Sequence, residues 1–325
     1  MNYSLTIKSP ITAELEELKT LFDASIASSN PLLNQATAYI CQRRGKMMRP
    51  MLVLLMAKLY HGSVLPVTLH AAVALELLHT ASLVHDDVVD ESDERRGQPS
   101  VNAAFNNKVA VLVGDYLLST ALLQVGLTRN YDIFSVVSQL GRELANGELL
   151  QLANVSNRQF SVETYFDIIR KKTASLFAAC TKVGALSVTD RDEWVENARL
   201  FGEYIGLCFQ IRDDIFDYYD NTEVGKPTGN DMLEGKLTLP LLYVLNETAD
   251  KEMAELALKV KSMSASADEI ARLVEFTKRH GGIERARETM VHFHDKALAL
   301  LDAHPDSEVK RALVAYLDYV IERAK

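Results

Sequence analysis

Apolar residues recur at intervals of three and four along most of this chain. Ala74, Leu77, Leu78, Ala81 and Val84 follow that spacing, as do Leu200, Tyr204, Leu207 and Ile211. A period near 3.6 gathers the apolar positions on one face of an α-helix. No stretch shows the strict apolar–polar alternation of a half-buried strand. The chain is sparing with Gly (15) and Pro (8) in 325 residues, which favours long helices over many short strands. Breaks are predicted near 61–66, 97–100, 129–132, 220–231, 262–266 and 303–306. Pro66 is placed to open a helix, and Ser266-Ala267-Asp268-Glu269 has the Ser and Glu spacing of a capping box. There is no Ser/Gly/Pro linker, no fixed-period repeat and no low-complexity segment. The pattern predicts one all-α domain over residues 1–325 with a mostly buried core.

Composition narrows the function. The net charge is -9, from 35 basic and 44 acidic residues, which argues against a nucleic-acid partner. Cys41, Cys180 and Cys208 have neither disulfide nor metal-ligand spacing. A reducing, cytoplasmic location fits them. No secretory leader pattern opens the chain. The most apolar runs, 51–60 and 67–78, are shorter than a membrane helix needs. A soluble protein is expected, compatible with peripheral membrane contact for product release.

Two carboxylate clusters stand out. In His79–Asp90 an apolar helix ends in Asp86-Asp87-Val88-Val89-Asp90, where Asp86 and Asp90 are i and i+4 and share a face. Asp213, Asp214 and Asp217 repeat that spacing, with Gln210 about one turn earlier. Like charges near a helix C-terminus repel one another and oppose the helix dipole, so a cation is expected to compensate. Clusters with oxygen donors and no His or Cys suit Mg²⁺, which keeps waters and takes phosphate oxygens. One such cluster alone could be a solvated helix face. Two, each inside an apolar helix and more than a hundred residues apart, point to a site.

Basic residues alternate with these clusters. Lys46 and Arg49 lie before the first, and Arg95-Arg96 directly after it. Lys171-Lys172-Thr173 lies mid-chain, and Lys226 and Lys236 follow the second. Each pair alone reads as surface charge. Together they predict two anionic groups, one held through metal and one by Lys and Arg, which bind phosphate oxygens.

With these motifs the chain resembles the trans-prenyl diphosphate synthases, or polyprenyl synthetases, over nearly its whole length. The segment 44–50 is similar to the family's GGKRxRP. DDVVDESDERRG resembles its first aspartate-rich motif, KTASLF its Lys-Thr segment and QIRDDIFD its second aspartate-rich motif. GKPTGNDMLEGKLTLP resembles its closing loop. The resemblance implies the isoprenoid synthase fold, a bundle of long antiparallel helices around a central substrate cavity. It implies Mg²⁺-dependent condensation of isopentenyl diphosphate with an allylic diphosphate, several ions bridging the latter. It also implies a homodimer.

Carried over position by position, Asp86, Asp87, Asp90, Asp213, Asp214 and Asp217 are the expected metal-site residues. Asp87 is assigned close by or behind the first pair, and Asp214 and Asp217 a supporting role. Lys46, Arg49, His79 and Arg96 would bind isopentenyl diphosphate. Arg95, Lys172, Gln210 and Lys226 would contact the allylic diphosphate, with Lys236 a further contact. Thr173 would stabilise the cation through its oxygen. Asp86, Asp87, Lys172, Thr173, Gln210 and Lys226 form the expected catalytic set. The chain departs from the family pattern at Arg44 and Met47, which replace a Gly and a basic residue.

Ala81 and Ser82 lie about one turn before Asp86, where short-chain members often carry a bulky aromatic. Their small size predicts a long, octaprenyl-like product of the kind used in quinone side chains, with deeper limits within 117–125. A farnesyl or geranylgeranyl diphosphate synthase is the alternative. A terpene cyclase is disfavoured because its second metal motif mixes Asn/Asp, Ser/Thr and Glu. A non-catalytic subunit of a heteromeric synthase is disfavoured because both motifs are whole.

Overall fold

The computed structural model describes residues 3–322 apart from 43, 44, 46, 96, 156 and 220–227. Lys46, Arg96 and Lys226, three of the expected phosphate-binding residues, and Arg44 lie outside the described residues. The chain runs through α1 (Tyr3–Lys8), a 3₁₀ turn, α2 (Thr12–Ser25), α3 (Pro31–Cys41), α4 (Met48–His61) and α5 (Pro66–Val89). A short hairpin, β1 (Glu94–Arg95) and β2 (Gln98–Pro99), leads to α6 (Val101–Ala104), α7 (Asn107–Thr128) and α8 (Tyr131–Val155). Then come α9 (Val162–Ile169), a π-helical turn (Arg170–Ala174), α10 (Ser175–Leu186) and α11 (Asp192–Phe216). The remainder is α12 (Asn230–Leu233), α13 (Leu239–Thr248), α14 (Lys251–Lys261), α15 (Ala267–Arg279), α16 (Gly282–Leu301) and α17 (Glu308–Glu322). The all-α expectation holds. The hairpin at the predicted 97–100 break was not foreseen, because two-residue strands are too short to show alternation. Gly97 turns it at a φ of 76°.

Contacts group the chain into two compact units. The first is Met1–Gly141, Leu176–Leu200 and His304–Tyr316. Its centre is α5, which begins at Pro66 as predicted and buries residues on every side, from Leu69 through Leu77 to Val84. A helix apolar all round belongs in an interior, and α5 packs along the length of α7. Against α4, the approach of α10 depends on Gly184. A Cβ there would stand 2.6 Å from the Val53 carbonyl oxygen and 3.0 Å from the Met56 Cβ. The second unit is Arg142–Ser175, Phe201–Ala303 and Leu317–Lys325. In it α13 packs on α16, and the predicted capping box opens α15. Ser266 N donates to Glu269 Oε2 (2.9 Å), and Glu269 N donates to Ser266 Oγ (3.3 Å).

One expectation is corrected. Two helices, α5 (24 residues) and α7 (22 residues), are long and apolar enough by composition to cross a membrane. The apolar run read as ending at Leu78 continues, because Thr80 and Ser82 carry no charge, Ala81, Leu83 and Val84 are apolar, and the helix persists to Val89. Burial accounts for α5, since 67% of its most apolar window lies inside the fold. In α7 that share is 44%, and Val111, Leu112, Leu118, Leu122, Leu123 and Leu127 are exposed.

Gly184→Ala should destabilise the protein by about 1–3 kcal/mol through overpacking against the α4 backbone. Urea unfolding measures this directly, and an unchanged midpoint would contradict the close α4–α10 approach.

Candidate active site

The first aspartate cluster ends α5. Asp90 follows the last helical residue, and its N–H closes the helix on the Asp86 carbonyl at 2.8 Å. The helix turns the three carboxylates to different environments. Asp90 is exposed, Asp86 half-buried and Asp87 only 2% exposed. The hairpin brings Arg95 back over Asp87. Its Nε donates to Oδ1 at 2.7 Å, and a terminal guanidinium nitrogen lies 2.7 Å from the same oxygen. Arg95, expected on the allylic diphosphate, is therefore committed at least in part to a buried carboxylate.

In the same unit Arg49 sits near the start of α4, its guanidinium 5.3 Å from the Phe177 ring centre. Its Nε is buried without a hydrogen-bond partner, which suits an anion binder because such a donor costs free energy until it is satisfied. Met47, where the family has a basic residue, is buried and takes a left-handed φ of 51°. His79 is buried, Ala81 is buried, and half-buried Ser82 donates to the His79 carbonyl oxygen at 2.9 Å.

In the second unit the other cluster ends α11. Asp214 is buried and accepts from Tyr165 Oη (2.5 Å, to Oδ2) and Gln210 Nε2 (2.9 Å, to Oδ1). Gln210 Oε1 accepts from Thr173 Oγ1 at 2.8 Å. Asp213 is 42% exposed and paired with its neighbour Arg212. The buried Arg212 also donates to the Val320 carbonyl oxygen at 2.6 Å and lies over Phe209 and Phe216. Asp217 caps α12, its oxygens accepting from Asn230 N (3.0 Å) and Asp231 N (3.2 Å). Lys172 Nζ bonds Glu148 (2.6 Å) and Gln151 (3.1 Å). Lys236 pairs with Glu234 at 2.6 Å.

Burial pushes the Asp214 carboxyl up to about 8, helped by the nearby Asp231 and partly offset by the bonds from Tyr165 and Gln210. Burial and the Asp214 charge push Tyr165 well above the ordinary phenol range. Among the described residues no three His, Cys, Asp or Glu side chains converge into a ready-made metal cage. The chemistry of the donors still fits Mg²⁺, a hard cation that takes one or two carboxylates and completes its shell from water and substrate phosphate.

The expected residues thus form two sets, Asp86, Asp87, Asp90, Arg95, Arg49 and His79 in one unit and Lys172, Thr173, Gln210 and the Asp213–Asp217 cluster in the other. Tyr165, Glu148, Gln151 and Arg212 were missed. Arg212 was visible beside Asp213. Tyr165 had no signal, because an uninterrupted helix would turn it away from Thr173.

These sites sit on a fold with known relatives. The family model for polyprenyl synthetase matches residues 30–277. Octaprenyl diphosphate synthase of Escherichia coli is 35% identical over 297 residues, 90% of each chain. A crystal structure described as geranylgeranyl pyrophosphate synthase from Bacteroides thetaiotaomicron is 58% identical, with a TM-score of 0.87 over 99% of this chain and 100% of that one. A polyprenyl synthase from Caulobacter crescentus, complexed with calcium and isoprenyl diphosphate, is 30% identical, with a TM-score of 0.90 over 99% and 98%. The chain belongs to the polyprenyl synthetase family and is a trans-prenyltransferase.

The raised Asp214 carboxyl has a sign that can be tested. Between its ordinary 3.8 and about 8 the folded chain holds a proton that the unfolded chain has released. Stability is therefore lost as pH rises through that window. The metal-free protein should show a falling Tm from pH 5 to pH 8 (roughly the span of the shift), flattened in Asp214→Asn. Equal pH profiles for the two proteins would refute the assignment.

Proposed function

We propose that this chain condenses isopentenyl diphosphate with an allylic diphosphate, with Mg²⁺, to give an all-trans long-chain polyprenyl diphosphate of octaprenyl class. The observation that carries it is shared by both aspartate clusters. In each, the second aspartate is buried and tied down, Asp87 by Arg95 and Asp214 by Tyr165 and Gln210. Asp86, Asp90 and Asp213 keep exposure to solvent.

The reaction breaks the C1–O bond of the allylic substrate, and the bonding pair leaves on pyrophosphate. The double bond of isopentenyl diphosphate then attacks C1, and loss of a proton restores an alkene five carbons further on. Asp86 and Asp90 in one unit, and Asp213 in the other, would each hold Mg²⁺, whose charge, when bound, stabilises the leaving diphosphate. Lys172, held by Glu148 and Gln151, is positioned to add a point charge for that anion. Thr173, bonded to Gln210, offers its oxygen dipole to the allylic cation. Arg49, with its unpaired buried Nε, suits the second diphosphate. Fixing both substrates supplies the proximity term.

Long-chain output is supported by Ala81 and Ser82 and by the octaprenyl relative. A geranylgeranyl product is the second reading, favoured by the description of the 58% identical structure. The exposed apolar face of α7 supports a homodimer, since contiguous apolar surface of this kind marks an interaction site.

Incubation with labelled isopentenyl diphosphate, an allylic primer and Mg²⁺, followed by product sizing, tests the activity. Asp86→Ala and Asp213→Ala should each lower turnover at least about 100-fold, the scale of removing a charge-stabilising group. Near-normal turnover in either would remove its metal role. Ala81→Phe should give a shorter product with turnover retained, and an unchanged product length would rule out Ala81 as a length determinant.

A further inference from the structure

Tyr165 and Thr173 are separated by eight positions on consecutive helical segments. In an uninterrupted α-helix of about 3.6 residues per turn they would lie roughly 80° out of phase. The π-helical turn at Arg170–Ala174 falls between them. One extra residue in the turn brings the two side chains to within about 20° of a common face. Both then meet α11, Tyr165 at Asp214 and Thr173 at Gln210, and those two α11 residues are themselves i and i+4.

The resulting chain has a direction. Asp214 Oδ1 is an acceptor, so Gln210 must face it with Nε2, its donor end. The other end of the Gln210 amide, Oε1, is an acceptor and faces Thr173. Thr173 must therefore spend its single hydroxyl proton on Gln210. Its oxygen lone pairs are left for positive charge. Tyr165 enforces this by occupying Oδ2.

We propose that Tyr165 is a positioning residue of the prenyl transfer, fixing the polarity of the Asp214–Gln210–Thr173 chain so that Thr173 presents oxygen, and not its proton, to the allylic cation. This rests on the prenyltransfer reading given above and adds a residue that touches no substrate.

The test is a double-mutant cycle on the full-length protein, with kcat, KM for both diphosphates and Tm measured for each variant. Tyr165→Phe should lower kcat about 10-fold, in line with the cost of misplacing a reacting group, with KM for isopentenyl diphosphate unchanged. In a Thr173→Val background, which keeps shape and removes the hydroxyl, the same change should cost less than about twofold. A purely structural role would lower Tm in both backgrounds and multiply the kcat losses. Equal losses in the two backgrounds, or no loss in Tyr165→Phe, overturn the proposal and leave the prenyltransfer reading intact. If Tyr165→Phe does not fold, Tyr165→Met, whose flexible side chain fills the space without a hydroxyl, takes its place under the same two criteria. A wild-type chain that does not consume isopentenyl diphosphate overturns the reading itself, and the role for Tyr165 with it.

Discussion

Burying a carboxylate is the constraint on which the rest of this structure turns. A carboxylate taken out of water is costly unless its charge is matched or its oxygens are bonded. The protein does this twice, at the second position of each aspartate cluster, and by different means. Asp87 has a guanidinium, carried to it by the hairpin after α5. Asp214 has a phenol and an amide, and Asp231 nearby adds charge of the same sign. The first solution neutralises, whereas the second leaves the carboxyl dependent on its surroundings. In both, a motif that would splay if wholly solvated is tied into the packed body of its unit.

That anchoring explains how three adjacent acidic residues share a helix end without unravelling it. Repulsion falls when one charge faces inward to a partner and the others diverge toward water. Asp217 takes a third course, closing the first turn of α12 with both oxygens and extending the cluster's influence into the segment that follows. The division of labour among aspartates is set by helix phase, because i+1 lies about 100° from i at 3.6 residues per turn.

Much of this was legible in the sequence. The period of apolar positions named α5 and α11, and Ser266 with Glu269 named the start of α15, because these signals are local. The aspartate clusters and the Lys-Thr segment were legible as chemistry because their residue types are rarely grouped by packing alone. Orientation was not legible. Nothing in DDVVD says that its second residue points inward, since that depends on a hairpin returning Arg95. Nothing in VETYFDIIRKKTA distinguishes an α-helix from one with a wide turn, so Tyr165 went unmarked. The membrane-like length of α5 was missed because the apolar run was counted only as far as Leu78, although uncharged polar residues such as Thr80 and Ser82 extend such a window.

The wide turn between α9 and α10 has a consequence for how this segment varies among sequences. The turn takes up one residue more than an ordinary helix needs. Closing it to an ordinary helix at the same residue count would rotate everything on one side of it by about 100° relative to the other. Thr173 would then face away from the face of α11 that Tyr165 still addresses. Removing one residue from the turn while the helix closes keeps the two flanks in phase, since seven positions span nearly two full turns. A sequence one residue shorter between Tyr165 and Thr173 would hold the same two side chains on one face of a continuous helix, so length and turn geometry must change together.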